Sequence, residues 1–174
     1  MKNVMYTPHF AALEFIESAT ARKYGIDNRP TPEAEENLKR LCENTLEPIR
    51  EALGLPVIIT SGFRCKALND IIAHHAHHSQ HLKGQAADFY VGWSAPLKGR
   101  GQSGNACLSP RGSLIKAFRL IITSEQIDFD QLILYPNFIH VSYVAPEANR
   151  HYIMVAQGNG RYGRVTKETA LTFN

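Results

Sequence analysis

The amino-acid sequence predicts an α+β fold, with a mainly antiparallel sheet and flanking helices in a single domain over residues 1–174. Its length of 174 residues falls within the usual size of one domain. Helical patterns come first and strands mixed with helices follow, an order that favours α+β over a doubly wound α/β fold. Late in the chain, a Tyr-Pro-Asn turn separates two strand patterns, which indicates an antiparallel hairpin.

Two helical patterns, a short one and a stronger one, occupy the first part of the chain. The first covers residues 11–24. The second begins after Thr31, a good N-cap, with Pro32 in its first position, and Gly54 ends it. Pro48 lies inside the second pattern and lacks the N–H group that an α-helix needs. We therefore expect Pro48 to kink or shorten this helix.

Strand patterns and shorter helices alternate in the rest of the chain. The predicted strands are residues 56–60, 86–91, 131–134, 138–144 and 152–155. A short helix is predicted over residues 67–73, and a further helix begins at Ser109-Pro110. The segment 92–110 is rich in glycine and is predicted as a loop. A loop of this length in a compact domain is often functional.

Composition excludes several classes of protein. Apolar residues make up 44% of the chain and charged residues 20%, as is usual for globular proteins. The net charge of +3 is too small and too scattered to indicate a nucleic-acid partner. No apolar run reaches the roughly 18 residues of a membrane span, and the first ten residues contain no secretory signal. We expect a cytoplasmic monomer, unless lysis or a non-classical route releases it.

The three cysteines, Cys42, Cys65 and Cys107, do not form a recognisable framework. Their number is odd and no CxxC spacing occurs. The sequence therefore predicts reduced thiols rather than disulfides or a cysteine-ligated metal.

Histidines and one aspartate suggest a metal site. His81 precedes a glycine turn and a strand that contains Asp88, so the turn can bring Asp88 back beside His81. His140 alternates with apolar residues in a late strand. Two imidazoles and a carboxylate suit a zinc site that keeps one open position. Alternatives stay open at this point: a hydrogen-bonded core histidine, an aspartate paired with an arginine, and a solvated histidine run over residues 74–78.

Several motifs, taken in order, resemble the M15 metallopeptidases. They are Ser61-Gly62-Phe63-Arg64, the SxHxxGxAxD pattern over residues 79–88 and the IHVSY segment over residues 139–143. This family includes zinc D-Ala-D-Ala carboxypeptidases and phage endolysin endopeptidases. The resemblance extends from about residue 7 to about residue 157. A phage or prophage origin would fit it.

The resemblance implies a fold like that of hedgehog and the D-Ala-D-Ala peptidases. It implies one Zn²⁺ per chain on His81, Asp88 and His140. It further implies that Arg64 lies near the substrate, where its guanidinium can bind a terminal carboxylate, and that Ser79 is a hydrogen-bond donor close to the metal. The implied reaction is hydrolysis of peptide bonds in peptidoglycan stem peptides.

The sequence departs from the family at the general base. Members of the family normally carry a glutamate a few residues before the second zinc histidine, and Tyr135 stands there instead. General-base catalysis contributes typically 10²–10⁴-fold in rate. Candidate substitutes are Tyr135, Asp130 and the histidines His75, His77 and His78.

Three hypotheses are consistent with these residues. The first is a zinc metallopeptidase that acts on peptidoglycan peptides. The second is a zinc-containing, non-catalytic module that binds cell-wall peptides or a protein, which the missing glutamate would favour. A plain globular domain is a third reading and predicts no stoichiometric metal.

Overall fold

A computed structural model describes residues 4–72, 76–92, 110–158 and 161–173. Its helices are α1 (Ala12–Ile16), α2 (Ala19–Tyr24), α3 (Pro32–Leu41), α4 (Glu47–Leu53), α5 (Lys66–Ile71), α6 (Pro110–Thr123) and α7 (Lys167–Ala170). A π-helical turn, Cys42–Leu46, joins α3 to α4, and a 3₁₀ turn covers Gln80–Lys83. Several features of the sequence lie outside the described residues: the predicted loop over residues 92–110 except for its two ends, His74, His75, Cys107 and Ser109.

The strands form two sheets. They are β1 (Met5–Thr7), β2 (Phe10–Ala11), β3 (Val57–Ser61), β4 (Ala86–Val91), β5 (Gln131–Leu134), β6 (Ile139–Ser142), β7 (Tyr152–Gly158) and β8 (Arg161–Arg164). β1 and β2 make a small antiparallel pair, and the other six form one sheet in the order β3-β4-β6-β5-β7-β8. Only the β5–β7 pair of this sheet is parallel. The prediction of an α+β fold with a mainly antiparallel sheet is confirmed.

The prediction of one helix over residues 11–24 is wrong, because α1 and α2 are separate. Glu17 leaves the helical region, with a φ of −67° and a ψ of 131°. Ser18 then caps α2, since its Oγ accepts a hydrogen bond from the Ala21 N–H at 3.2 Å. A serine that can cap a new helix competes with continuation of the previous one.

Pro48 interrupts the second helix as predicted, but the interruption takes an unexpected form. The chain passes from α3 into α4 through the π-helical turn, in which the Glu47 N–H donates to the Cys42 carbonyl five residues earlier. The wider turn accommodates the proline without ending the helical path. Thr31 caps α3, and Gly54 ends α4 at a φ of +61°.

The two faces of the main sheet have different surroundings. One face packs against the helices to form the core, which includes Ala87 and Phe89 of β4 and Val141 of β6. Side chains alternate along a strand, so Asp88 and His140 point to the opposite face. The polar side chains of Asp88 and His140 therefore lie on the face that is turned away from the helical core. Among the described residues, no helix is long and apolar enough to cross a membrane.

Candidate metal centre

Asp88 and His140 meet because their strands are paired. Asp88 of β4 lies directly opposite His140 of β6 in the antiparallel register. The His140 Nδ1 atom is 2.8 Å from the Asp88 Oδ1 atom. Cross-strand neighbours on one face lie close enough for direct side-chain contact. The strand pairing alone therefore brings together two side chains that are 52 residues apart.

His81 reaches the same place from the 3₁₀ turn. The Ser79 Oγ atom accepts the His81 N–H and caps this turn. The His81 Nδ1 atom lies 2.7 Å from the Gly62 carbonyl oxygen, which can only accept, so Nδ1 carries the ring proton. The unprotonated Nε2 atom then lies 3.4 Å from the Asp88 Oδ1 atom. The bond from Nδ1 to the Gly62 carbonyl orients His81 as a ligand, in the way that outer partners orient metal-bound histidines.

Two glycines allow the backbone to approach closely around His81. Gly84 has a φ of +70°, and a Cβ atom there would lie 2.1 Å from the Ala34 carbonyl oxygen. A Cβ atom at Gly62 would lie 2.5 Å from the Phe15 carbonyl oxygen. Both positions therefore require glycine for steric reasons. Gly84 thus lets the His81 turn lie against α3, and Gly62, whose carbonyl contacts the His81 ring, lies against α1.

The three side chains converge into a group that could hold a metal ion. Each offers one ligand atom, and these atoms all lie within 4.8 Å of one another. His81 is buried, whereas Asp88 and His140 are partly buried. Two nitrogen donors and one carboxylate oxygen form a donor set that fits a divalent metal with a position left for substrate.

The electrostatics of the group suit metal binding. Burial lowers the pKa of His81 below its ordinary value, although the Asp88 charge opposes this. Burial by itself would raise the pKa of Asp88, but His81 and His140 outweigh burial and hold it well below its ordinary value. The group thus presents a neutral His81 ring and an ionised Asp88 carboxylate, the protonation states that bind a metal.

A cavity of about 450 Å³ opens over the group. Its lining includes all three candidate ligands, together with Arg64, Ala76, His78, Ser79, Gln80, Gln131, Ile133, Tyr135, Phe138, Arg150 and Tyr162. The sequence pattern did not single out Arg150 or Tyr162. They reach the cavity only through tertiary structure, and no local motif marks them.

Arg64 lies at the cavity wall and is fixed to the His81 turn. Its backbone N–H donates to the His81 carbonyl at 3.1 Å. Its Nη2 atom lies 3.4 Å from the Ser79 Oγ atom, and its buried Nε atom has no hydrogen-bond partner among the described residues. A partly buried guanidinium with an unused donor is suited to bind a carboxylate.

Asp130 does not line the cavity, which argues against it as a proton acceptor. Its side chain is fully buried. It accepts hydrogen bonds from the Arg150 Nε atom at 2.7 Å and from the Gln80 Nε2 atom at 2.9 Å. Burial raises the pKa of Asp130, but the bonds from Arg150 and Gln80 lower it more. Asp130 instead fixes two residues of the cavity wall.

The remaining candidate bases differ in position. Tyr135 lines the cavity and its ring stacks on Phe138 with centroids 4.3 Å apart. Burial and the Asp88 charge raise the pKa of Tyr135, so its hydroxyl stays protonated at neutral pH and acts as a donor. His77 and His78 are both exposed, but only His78 of the two lines the cavity.

Comparison with known proteins supplies one match. A family model described as Peptidase M15 matches residues 8–98, just over half of the chain. The matched segment contains Arg64, Ser79, His81 and Asp88, and it ends before His140. A search of curated proteins found no match.

Proposed function

Because the chain belongs to the M15 peptidase family, we propose that it is a zinc metallopeptidase that hydrolyses peptide bonds in peptidoglycan stem peptides. The substrate end bears a free carboxylate, as in a peptide that ends in D-Ala-D-Ala. The observation that carries the proposal is the convergence of His81, Asp88 and His140 at the floor of an open cavity.

The donor set fits zinc. Zinc bonds to nitrogen and carboxylate oxygen are about 2.0–2.2 Å long, so tetrahedral ligand atoms lie about 3.4 Å apart. The distance from His81 Nε2 to Asp88 Oδ1 is 3.4 Å, which matches this separation. The distance from His140 Nδ1 to Asp88 Oδ1 is 2.8 Å, the length of a hydrogen bond that a bound zinc ion would replace. Zn²⁺ bound there would polarise the scissile carbonyl and lower the pKa of an attacking water.

Arg64 binds and orients the substrate in this proposal. Its side chain lies near Asp88, whose charge partly offsets the effect of burial on the pKa of Arg64. A guanidinium holds a carboxylate through two parallel hydrogen bonds, which fixes both the position and the direction of the peptide. The Ser79 Oγ atom supports the Arg64 side chain while it caps the turn that carries His81.

Proton transfer needs an acceptor other than the glutamate that the family normally uses. Of the five candidate bases, only Tyr135 and His78 line the cavity in the described part of the chain. Since Tyr135 stays protonated, we assign the acceptor role to His78, because histidine is the side chain that most often acts as a general base. Tyr135 donates a hydrogen bond to the oxygen that gains negative charge during attack.

The proposal is tested by metal analysis together with hydrolysis. The purified full chain is expected to hold one zinc per molecule by elemental analysis. It should release D-alanine from a peptide that ends in D-Ala-D-Ala, or cleave purified muropeptides. EDTA should abolish this activity, added Zn²⁺ should restore it, and His81→Ala should lose both metal and activity.

Two results would count against the proposal. A chain without stoichiometric zinc would contradict the metal assignment. A chain that holds zinc and binds these peptides without cleaving them would be a non-catalytic binding module.

A further inference from the structure

One row of side chains crosses the main sheet from the metal group to its far edge. The register places the members of this row opposite one another on successive strands: Asp88, His140, Ile133, Met154 and Arg164. Directly paired residues point to the same face of a sheet. Arg164, on the edge strand β8, therefore lies on the face that carries the candidate ligands.

Arg164 is held in place by an aromatic ring, and its charge has no ionic partner in the described part of the chain. Its guanidinium carbon lies 3.8 Å from the centre of the Tyr152 ring, a cation–π contact. Arg164 is exposed, and no carboxylate of the described residues lies within 4 Å of it. Arg150 also lies over Tyr152, at 5.0 Å, but its charge is paired with Asp130.

Tyr162 connects this arginine with the cavity. It is two residues before Arg164 on β8, so both side chains point to the same face. Tyr162 lines the cavity while half of its surface remains exposed. An exposed ring next to such a guanidinium offers a peptide an apolar contact and an anion contact together.

We propose that Arg164 and Tyr162 form a distal subsite that binds a carboxylate of an acidic peptide substrate. This inference rests on the proposed function and specifies its substrate class. Three strand spacings separate His140 from Arg164, a distance of about 14 Å. That distance corresponds to about four residues of extended chain. The substrate therefore carries an acidic side chain about four residues from the bond that is cleaved.

The position of Arg64 fixes the direction of the peptide. Arg64 follows β3, which pairs with β4 on the side away from β6. Arg64 and Arg164 thus lie on opposite sides of the metal group. With the terminal carboxylate on Arg64, the acidic residue lies on the N-terminal side of the cleaved bond.

Binding measurements test the subsite apart from catalysis. Two synthetic hexapeptides end in D-Ala-D-Ala and carry either Glu or Gln at their second position. Calorimetry on the full chain in EDTA gives their dissociation constants without turnover, and kinetics on the zinc-loaded chain give kcat/KM. The wild-type chain should bind the Glu peptide about fivefold more tightly than the Gln peptide. Added salt should reduce this preference.

Matched variants identify the residue responsible. Arg164→Gln should abolish the preference for Glu, and Arg164→Lys should keep part of it. Arg111→Gln removes the same charge from α6, which packs against the other, core-facing side of the sheet, so this control should keep the full preference. A preference that survives in Arg164→Gln, or its absence from the wild-type chain, overturns the subsite. Failure of the zinc-loaded chain to cleave either peptide would instead contradict the proposed function.

Discussion

The Oδ1 atom of Asp88 lies 2.8 Å from the Nδ1 atom of His140, directly across a pair of antiparallel strands. The same oxygen lies 3.4 Å from the Nε2 atom of His81. A single carboxylate oxygen therefore faces two imidazole nitrogens in a partly buried place. Such an arrangement without a cation would rely on an imidazole proton, whereas a divalent cation satisfies all three groups at once.

Loss of the Asp88 charge should release the metal. Asp88→Asn keeps the size of the side chain but removes its negative charge, so the zinc dissociation constant should rise at least about 100-fold. Competition with a chromogenic chelator measures this constant. Asp128→Asn is the matched control, because Asp128 also contacts a histidine, His151, at 2.8 Å. Equal zinc affinity in the Asp88 and Asp128 variants would contradict the metal centre.

Two neighbouring histidines should differ in their effect on catalysis. His78→Ala should lower kcat by about 10²-fold or more with the zinc content unchanged, because it removes the proposed proton acceptor from the cavity. Added imidazole should restore part of the rate. His77→Ala is the control and should retain the wild-type rate, because His77 lies outside the cavity lining. If the His78 variant keeps the wild-type rate and pH profile, the acceptor is another group.

A carboxylate at the position of Tyr135 should raise the rate of hydrolysis. Tyr135→Glu places a proton acceptor where the family normally has one, and the gain could reach about 10²-fold. Tyr135→Phe keeps the ring that stacks on Phe138 and removes only the hydroxyl. This control should show a modest loss of kcat with KM unchanged. Single-turnover rates, measured at the same zinc content, distinguish the two variants. If Tyr135→Glu hydrolyses the peptide more slowly than the wild-type chain, a carboxylate at this position does not act as a base.

The sequence could predict those parts of the structure that depend on local pattern. β4 and β5 have the bounds that alternation and turn residues predicted. The His81 turn and Asp88 are close in sequence, so their approach could be inferred from a glycine turn and a strand. The sequence also predicts that the main sheet is mostly antiparallel. It does not predict the parallel pairing of β5 with β7.

Other parts depend on contacts that no local pattern shows. β8 has the sequence RYGR, which carries no apolar alternation, so neither this strand nor its row with Asp88 could be predicted. The burial of Asp130 depends on Arg150, 20 residues later in the chain. From the sequence alone Asp130 is therefore a candidate base, and only the tertiary structure shows its contacts with Arg150 and Gln80.

Two glycines with the same backbone conformation should respond differently to alanine. Gly25→Ala places a side chain at a φ of +63° but meets nothing within 4 Å, so we expect a loss of about 1 kcal/mol in the free energy of unfolding. Gly84→Ala adds a collision with the Ala34 carbonyl, 2.1 Å away, and should cost about 3 kcal/mol or more. Urea denaturation measures both values. Because Gly84 ends the turn that carries His81, its variant should also bind zinc more weakly. Similar losses for the two variants would show that the close approach to α3 is unimportant.

The pair of buried Asp130 and partly exposed Arg150 should make the stability of the fold depend on acid pH. The folded state lowers the pKa of Asp130 below its ordinary value, so the carboxylate stabilises the fold fully above about pH 4. This contribution should be lost as the pH falls through the lowered pKa. Asp130→Asn leaves the Arg150 charge without its partner and should lower the free energy of unfolding by about 2 kcal/mol at neutral pH. This loss is smaller than for a wholly buried pair, because the Arg150 side chain is 44% exposed. The difference in the free energy of unfolding between Asp130→Asn and the wild-type chain, measured by urea titration, should become smaller as the pH is lowered to about 2. Asp27→Asn serves as the control, since the exposed Asp27–Arg29 pair should leave the urea midpoint nearly unchanged. A constant difference between Asp130→Asn and wild type across this range would mean that the carboxylate charge is not what stabilises the cavity wall.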